Sequence, residues 1–559
     1  MLNKKQKDDL KKLSDVLDKE RKEKRKKAYD HAKKHNLKIR EKTKDGRDAE
    51  LIEIDDDGTP LFYITENKEG GELIKTNRVY SNGGAGYDLS GGGEILGIWD
   101  GGGVRSTHQE LNGRIIQKDQ PNQLLNHATH VAGTMIANGT ILNAKGMSYQ
   151  AKLHAYDWNN DNSEMTSEAM GGLKVSQHSY GRITGWAEGD FLNQGQIQWY
   201  WFGNTTISQT VDFKWGFYNN NTKNWDIISY NAPEYLIVKS AGNDRNYGPP
   251  PGTPHWFIVG STWYYGNPTR EIDGGSDGFN CISHEGLAKN IMTVGAVHNN
   301  KSMAGFSAWG PTNDGRVKPD IVAKGVGVFS SYAGANNQYA TLNGTSMSGP
   351  MVSGSIGIIL EHQKNLHPNQ NLLSSTIKGL ILHTADDTIS GSMGPNYERG
   401  WGLMNTEKVI KLMTENVVNQ NRNIREEVLQ NHATDIYNIT TKSISESEPL
   451  IVTLTWTDPS GTPTSLQLNP PDLMLVNDLD VCIVDGNENI YEPYILNPEI
   501  PTQGASNGDN YRDNVEKIVI NNPTPNSNYK VIVTHKGNLV NENNNISTQT
   551  YSLIISGIN

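Results

Sequence analysis

Short apolar runs separated by glycine and asparagine begin at about residue 76, and they constrain the fold of this 559-residue chain most strongly. The runs that we assign to buried strands are Ile95 to Trp99, Tyr235 to Lys239 and Ile291 to Val297. Several runs precede small-residue stretches of helical character, and strands that alternate with helices are typical of a parallel sheet. We therefore predict an α/β fold over residues 76–420, with a parallel sheet flanked by helices.

The N-terminal segment, residues 1–75, carries an excess of positive charge. Residues 1–50 hold 19 Lys and Arg against 11 Asp and Glu, so they are +8 and the rest of the chain is −19. We predict a charged helix over residues 1–45, with a thin apolar stripe of Leu10, Leu13 and Leu17 and an end at Asp45-Gly46. This helix either is solvated or docks electrostatically on the acidic body. Because the lysine runs contain no aromatic residue, we do not expect nucleic-acid binding.

The C-terminal part, residues 421–559, shows a third pattern. Helical spacing stops, and short alternating strands with turns between them take over, which is typical of a β-sandwich or jelly roll. We predict an accessory β domain there. Its clearest strands are Leu450 to Trp456, Lys517 to Asn521, Tyr529 to Thr534 and Tyr551 to Ile555.

The composition, 35% hydrophobic and 20% charged, suits a globular protein rather than a disordered one. No stretch approaches the roughly 18 to 20 apolar residues of a transmembrane helix, and a charged run follows Met1 where a signal peptide would be apolar. We therefore expect no membrane span, in a chain that either stays inside the cell or has lost its signal. The two cysteines, Cys281 and Cys482, have neither CxxC spacing nor a disulfide framework.

Three reactive side chains occur in the chain order Asp, His, Ser. Ser346 precedes an apolar run, Met351 to Leu360, that we predict to be a buried helix, and free N–H groups at a helix start favour negative charge. A serine needs an adjacent base, which His127 supplies, and that base needs a carboxylate such as Asp100 at a strand end. Taken singly, Ser346 could be an ordinary helix cap, His127 a structural histidine and Asp100 a turn residue or helix cap. Their conjunction favours nucleophilic catalysis.

Other chemistries fit these residues less well. His127 and His130 have a spacing that a zinc pair also shows, but no third ligand of the HExxH kind follows. Esterase action of the α/β-hydrolase type is disfavoured because the GxSxG elbow is absent. A binding module without activity would have lost a member of the reactive trio.

Six blocks that include these residues resemble the subtilisin-like serine peptidases. The resemblance covers about residues 80–410 and reaches Gly400-Trp401-Gly402. It implies hydrolysis of protein or peptide substrates through an acyl-enzyme, with no cofactor for catalysis. The blocks are Ile98 to Gly102, Asn126 to Thr134, Ser240 to Asn243, Phe306 to Pro311, Lys318 to Ala323 and Asn343 to Pro350.

The resemblance also implies a role for each site residue. Asp100 would orient His127, and His127 would take the proton from Ser346 as that serine attacks the peptide carbonyl. The Asn243 side chain and the Ser346 backbone N–H would hold the oxyanion. The substrate backbone would pair with Ser179, Tyr180 and Gly181.

Some positions depart from the family pattern, although none of them removes a reacting group. Ala128 stands where glycine is usual, Gly101 where a hydroxyl residue is common, and Lys324 where proline is usual. The stretch from Trp186 to Asp226 is interpreted as an insertion, which leaves the substrate preference unpredicted. Because the resemblance assigns the base to His127, it implies a structural role for His130.

The accessory domain resembles the C-terminal jelly roll of some bacterial relatives. The resemblance rests on Thr455 to Pro459 and Val476 to Asp480. Such domains usually contribute stability and sometimes bind calcium. Asp478 and Asp480 are therefore candidate ligands of a structural calcium ion, or members of a solvated turn.

Residues 1–75 do not match the compact inhibitory prodomain of the family. Leu51 to Thr65 alternates like one or two strands, with a turn at Asp57-Gly58, and is either an intramolecular brake or a simple extension. Residues 1–75 as a whole are either a cleaved propeptide or an extension. Family habit and the accessory β domain favour secretion. We expect the protein to be a monomer. The alternative is a cytoplasmic peptidase of narrow specificity that trims peptide leaders.

Overall fold

The computed structural model of the protein describes residues 3–44, 48–55, 58–65, 73–387, 394–443 and 448–559. The α-helices in these ranges are α1 (Lys4–His35), α2 (Asn126–Ile136), α3 (Asp161–Gly171), α4 (Asn220–Asn231), α5 (Thr345–Leu366), α6 (Ser374–His383) and α7 (Thr406–Val418). The strands before residue 400 are β1 (Arg40–Lys42), β2 (Asp48–Ile54), β3 (Pro60–Thr65), β4 (Ile95–Asp100), β5 (Ile115–Gln117), β6 (Lys152–Asp157), β7 (Val175–His178), β8 (Tyr180–Arg182), β9 (Trp186–Gly189), β10 (Gln198–Trp201), β11 (Leu236–Ser240), β12 (His255–Val259), β13 (Thr262–Gly266), β14 (Met292–Val297), β15 (Ile321–Lys324), β16 (Val328–Ser331) and β17 (Tyr339–Leu342). The later strands are β18 (Ile424–Leu429), β19 (Asp435–Thr440), β20 (Leu450–Trp456), β21 (Leu479–Val484), β22 (Ile490–Tyr491), β23 (Tyr494–Ile495), β24 (Ser506–Asn507), β25 (Val515–Ile520), β26 (Asn528–His535) and β27 (Gln549–Ser556).

A parallel sheet forms the centre of the molecule. Its seven strands follow the order β15-β14-β11-β7-β4-β6-β5, and every pairing is parallel. Helices α2, α5, α6 and α7 share a hydrophobic core with one face, and α1, α3 and α4 share another with the opposite face. Because both faces are covered, β11, β14 and β15 are buried along their whole length. The predicted α/β fold is confirmed, and the three predicted strands agree with β4, β11 and β14 to within one residue at each end.

The N-terminal helix α1 is shorter than predicted. It begins after Asn3, whose side chain accepts a hydrogen bond from the Gln6 N–H, and it stops at Asn36 in the left-handed conformation with φ 54°. The predicted end at Asp45-Gly46 lies outside the described residues. The helix packs on α3 and buries Leu10 and Leu17 there, so its apolar stripe has a partner.

The N-terminal segment continues as a sheet that joins the central domain. Strands β1, β2 and β3 pair antiparallel, and β3 pairs antiparallel with β8. The predicted strands from Leu51 to Thr65 correspond to β2 and β3, whereas Asp57 of the predicted turn lies outside the described residues. A second sheet, in the order β13-β12-β10-β9, begins in the predicted insertion and packs its aromatic side chains on α1, β2 and β3. The insertion thus supports the N-terminal segment.

The C-terminal part contains two four-stranded antiparallel sheets that enclose one hydrophobic cluster. Their orders are β18-β27-β20-β25 and β19-β26-β21-β22. A buried ion pair between Lys289 and Asp458 fastens these sheets to the central domain, and the same ammonium donates to the Pro459 and Met474 carbonyls. The jelly-roll connectivity stays a prediction. Within the described ranges, no helix combines the length and the apolar character that crossing a bilayer takes.

Candidate active site

Three neighbouring strands of the central sheet end at one edge and bring polar residues together. Asp100 is the last residue of β4, Ser179 follows β7, and Asn243 follows β11 by three residues. Because β11, β7 and β4 are adjacent and parallel, their carboxyl ends lie side by side. The crevice beyond such strand ends is where α/β sheets place reactive groups.

Helix α5 presents Ser346 to this edge. The chain enters the helix through Gly344 at φ 149°, a backbone conformation that favours glycine, and Ser346 is the second helical residue. The Thr345 N–H, one of the first N–H groups of the helix, donates to Asn243 Oδ1 at 2.9 Å, and the Thr345 hydroxyl donates to the same oxygen at 3.0 Å. The Asn243 amide is thereby fixed against the helix start.

Ser346 and Ser179 are joined by two hydrogen bonds. Ser346 Oγ donates to the Ser179 carbonyl at 2.9 Å, and Ser179 Oγ donates to the Ser346 carbonyl at 3.0 Å. The second bond replaces one that the helix cannot make, because Pro350 has no N–H to donate to the carbonyl four residues earlier. Pro350 lies in the second turn of α5, and Ser179 compensates for the hydrogen bond that this proline removes.

His127 and Asp100 form a buried pair. His127 is the second residue of α2, and its Nδ1 lies 2.8 Å from both carboxylate oxygens of Asp100. The Gly101 N–H also donates to Asp100 at 2.7 Å. A carboxylate can only accept, so Nδ1 carries the proton and Nε2 keeps a free electron pair. His127 is 1% exposed and Asp100 is fully buried.

Two buried polar atoms at this edge have no hydrogen-bond partner among the described residues. One is His127 Nε2, and the other is Asn243 Nδ2. A buried acceptor and a buried donor that lack hydrogen bonds raise the free energy of the folded protein. Both atoms can therefore form a hydrogen bond with a bound ligand.

His130 uses its ring differently from His127. Its Nε2 donates to the Val328 carbonyl at 2.9 Å, which ties α2 to β16. Burial lowers the pKa of His130 to about 3, so the ring is neutral at physiological pH. This position is consistent with the structural role that the sequence implied.

Of the predicted substrate-pairing residues, Tyr180 and Gly181 lie in β8, and strand β3 of the same chain is hydrogen-bonded to them. In this ladder Ile64 is opposite Gly181 and Thr65 is opposite Tyr180. The ladder continues beyond β8, where the Ile183 N–H donates to the Phe62 carbonyl at 2.7 Å. Strand β3 of the N-terminal segment thus occupies the edge of β8, the strand that follows Ser179. Ser346 is fully buried.

Sequence reasoning missed a buried ion network beside β8. Arg182 lies 2.6 Å from Glu53 of β2 and 2.7 Å from Glu285, and all three side chains are at most 4% exposed. Burial raises the pKa of Glu53, but the charges of Arg182 and Lys24 outweigh it and hold that pKa below its ordinary value. A single sequence offers no signal for this network, because its members are far apart along the chain.

The predicted calcium ligands lie away from the central sheet, on the C-terminal sheets. Lys536 Nζ donates to Asp478, to Asp480 and to Asp509, so one ammonium group already offsets part of the charge of these carboxylates. Burial raises the pKa of Asp478 to about 6. The arrangement fits a lysine-centred cluster rather than a dedicated cation cage. The calcium site stays a prediction.

Comparisons with known proteins agree with the geometry of the central domain. The subtilase family profile matches residues 91–402, which is more than half of the chain. Subtilisin DY from Bacillus licheniformis is 26% identical over 351 residues, which cover 60% of this chain and 95% of that protein. An alkaline protease from Alkalihalobacillus alcalophilus is 25% identical over 370 residues, 64% of this chain and 76% of that protein. The serine protease/ABC transporter B family protein tagB from Dictyostelium discoideum is 23% identical over 573 residues, 82% of this chain and 28% of that protein. The chain therefore belongs to the subtilase family and is a subtilisin-like serine protease.

Proposed function

We propose that the chain is an endopeptidase in which Ser346 is the nucleophile, His127 the general base and acid, and Asp100 the residue that orients His127. Asn243 and the Ser346 backbone N–H form the oxyanion hole. The observation that carries this proposal is a pair of buried atoms without a partner among the described residues: His127 Nε2, in a ring held by Asp100, and Asn243 Nδ2, in an amide held by the first N–H of the helix that bears Ser346. The first can accept a proton, and the second can donate to a developing negative charge.

The reaction then follows from these positions. Ser346 Oγ turns from the Ser179 carbonyl, gives its proton to His127 Nε2 and attacks the peptide carbonyl carbon. The carbonyl oxygen becomes an oxyanion held by Asn243 Nδ2. The C–N bond breaks, and the amine leaves with the proton from His127. Water, deprotonated by the same ring, attacks the acyl carbon; the bond from that carbon to Ser346 Oγ then breaks, His127 returns the proton to this oxygen, and the acid leaves.

Covalent labelling tests the nucleophile directly. We expect a peptidyl phosphonate to modify the folded chain once, at Ser346, and to stop casein hydrolysis in proportion to the modified fraction. The readout is intact mass, followed by peptide mapping. The urea-unfolded chain should not be labelled, because an isolated serine hydroxyl is a poor nucleophile.

The matched control for labelling is Ser353→Ala. Ser353 is a buried serine of the same helix, and its hydroxyl has no hydrogen-bond partner among the described residues. This variant should be labelled and inhibited like the unaltered chain. Modification of another residue, with loss of activity, would overturn the assignment of Ser346.

We further propose that residues 1–65 restrain the enzyme. Strand β3 pairs with the edge that the family resemblance assigns to the substrate backbone, so β3 and a substrate compete for the same hydrogen bonds. The ion pair between Glu53 and Arg182 holds the segment in place. The same proposal includes later cleavage of the segment as a propeptide. The intact mass of the chain reports this cleavage. Secretion and the monomeric state stay predictions.

Glu53→Ala should weaken this restraint. In the docked state the Glu53 carboxylate is buried and receives hydrogen bonds from Arg182 and from Asn221. Because Arg182 keeps its pair with Glu285, the loss is that of hydrogen bonds to a charged group, about 1.5–3 kcal/mol, so the population of undocked enzyme should rise by about tenfold or more. We expect a correspondingly higher initial rate of peptide hydrolysis before any N-terminal trimming is visible by intact mass.

The control for Glu53→Ala is Lys22→Ala. Lys22 lies on α1, its side chain is 74% exposed, and it pairs with Asp18 of the same helix. Exposed pairs contribute little, so this variant should keep the initial rate of the unaltered chain. Equal initial rates in the Glu53→Ala and unaltered chains would show that docking of the segment does not limit activity.

A further inference from the structure

We propose that the pocket now filled by Tyr63 selects a tyrosine side chain in protein substrates, at the substrate residue that pairs with Arg182. The inference rests on the proposed function, and on β3 occupying the place of a substrate strand. It names a specificity of this chain that the family match does not contain. Its four walls are Trp158, Asp161, Tyr180 and Arg182.

The register of β3 on β8 places Tyr63 relative to the nucleophile. Tyr63 is opposite Arg182, and the ladder runs from there toward Tyr180. Ser179, the residue before β8, accepts the hydrogen bond from Ser346 Oγ. On any strand that binds like β3, the residue opposite Ser179 is therefore nearest the nucleophile, and the residue opposite Arg182 lies three positions earlier. That residue is the fourth on the amino side of the cleaved bond.

The walls of the pocket hold an aromatic ring. The Tyr63 ring centroid lies 5.0 Å from that of Tyr180 and 5.6 Å from that of Trp158, at tilted angles. The Arg182 guanidinium carbon lies 4.9 Å from the same centroid. Such contacts favour an aromatic side chain over an aliphatic one. Tyr63 is 1% exposed, and part of its cover comes from the N-terminal segment, whose Arg21 guanidinium carbon lies 5.5 Å from the ring centroid.

The floor of the pocket is polar and matches a phenol. Tyr63 Oη donates to Asp161 Oδ2 at 2.8 Å, and Tyr180 Oη donates to the same oxygen at 2.9 Å. Asp161 is 2% exposed with a phenol in place, so its carboxylate is buried when the pocket is filled. A phenylalanine in the pocket would leave a buried acceptor short of one donor, which is costly. The site therefore distinguishes tyrosine from phenylalanine and not only large residues from small ones.

All four wall residues belong to the central domain, residues 76–420. The pocket therefore stays with the enzyme when the N-terminal segment undocks. Arg182 then keeps its ion pair with Glu285, which holds the guanidinium in place. The N-terminal segment carries a tyrosine where a preferred substrate would carry one.

Cleavage of a proteome-derived peptide library by the purified full chain tests the proposal. Sites read by mass spectrometry should be enriched in tyrosine over phenylalanine at the fourth residue on the amino side of the cleaved bond. Fluorogenic peptides that differ only there should give kcat/KM at least about tenfold higher for tyrosine than for phenylalanine or 4-methoxyphenylalanine. Equal values for these peptides would overturn the proposal, and this comparison needs no variant.

Two variants locate the preference. Asp161→Ala should bring the tyrosine-to-phenylalanine ratio of kcat/KM close to one, and a ratio within one variant is insensitive to a general loss of activity. Ser167→Ala, an exposed position on the same helix α3, should keep the ratio of the unaltered chain. An unchanged ratio in Asp161→Ala would overturn the assignment of the pocket floor.

The phosphonate experiment separates this inference from the proposed function. Labelling at Ser346 together with equal cleavage of tyrosine and phenylalanine peptides would refute the pocket alone. Labelling at another residue would refute the proposed function, and the pocket assignment with it, because the register is counted from Ser346.

Discussion

Ser346→Ala should lower kcat for peptide hydrolysis by about a million-fold, a magnitude carried over from mutagenesis of subtilisin, a relative of this chain. The variant keeps the helix start, and it loses the oxygen that donates to the Ser179 carbonyl and that we assign as the nucleophile. Hydrogen bonding at the helix start is otherwise maintained, because Thr345 still donates to Asn243. The residual rate should come from attack by water in the oxyanion hole. Initial rates with a fluorogenic peptide measure the loss.

Stability must be compared in the same experiment. The methyl group of alanine fits the space of a buried serine, so we expect the melting temperature to change little. Ser353→Ala on the same helix should retain both activity and melting temperature. Near-normal hydrolysis by Ser346→Ala, with the protein folded, would mean that another group carries the reaction.

The strand ends of the site were predictable because their pattern is local. An apolar run that ends in a polar residue places that residue at a sheet edge, and parallel strands collect such edges on one side. Asp100 and Asn243 follow this rule, and the structure places them at the carboxyl ends of β4 and β11, the two strands that flank β7. Ser346 was predictable from the small-residue helix that follows it.

The pairing of β3 with β8, which covers the site, was not predictable from the sequence pattern alone. The alternation from Leu51 to Thr65 predicts strands, but it does not say which edge they join. The choice of β8 depends on Glu53 meeting Arg182, and on Tyr63 meeting Asp161, across more than 90 residues of chain. A single sequence carries no signal for contacts of that range.

Corrections at the ends of elements have a similar cause. Helix α1 was predicted to reach residue 45 because its charged composition continues, yet Asn36 takes the left-handed conformation and ends it. The pairing of Asp478 and Asp480 with Lys536 also joins residues distant in sequence. Composition shows that carboxylates cluster, but it does not show which cation they meet.

Asp100→Asn should lower kcat by about 10⁴-fold while changing KM little. Both Asp100 oxygens lie 2.8 Å from His127 Nδ1, so the carboxylate fixes the proton on that nitrogen and leaves Nε2 free to act as the base. An asparagine can turn its NH₂ group toward Nδ1. That orientation stabilises the opposite tautomer, in which Nε2 carries the proton and cannot accept one from Ser346.

The matched control for Asp100→Asn is Asp157→Asn, because Asp157 ends the neighbouring strand β6 at the same register as Asp100. Its carboxylate accepts from the Asn159 N–H and has no assigned role in the reaction. Steady-state kinetics with a fluorogenic peptide should therefore show a normal kcat for Asp157→Asn and the large loss of kcat for Asp100→Asn. If both variants kept a normal kcat, orientation of His127 by the carboxylate would not limit the reaction. If both lost activity alike, the effect would come from the charge at this sheet edge and not from the tautomer of His127.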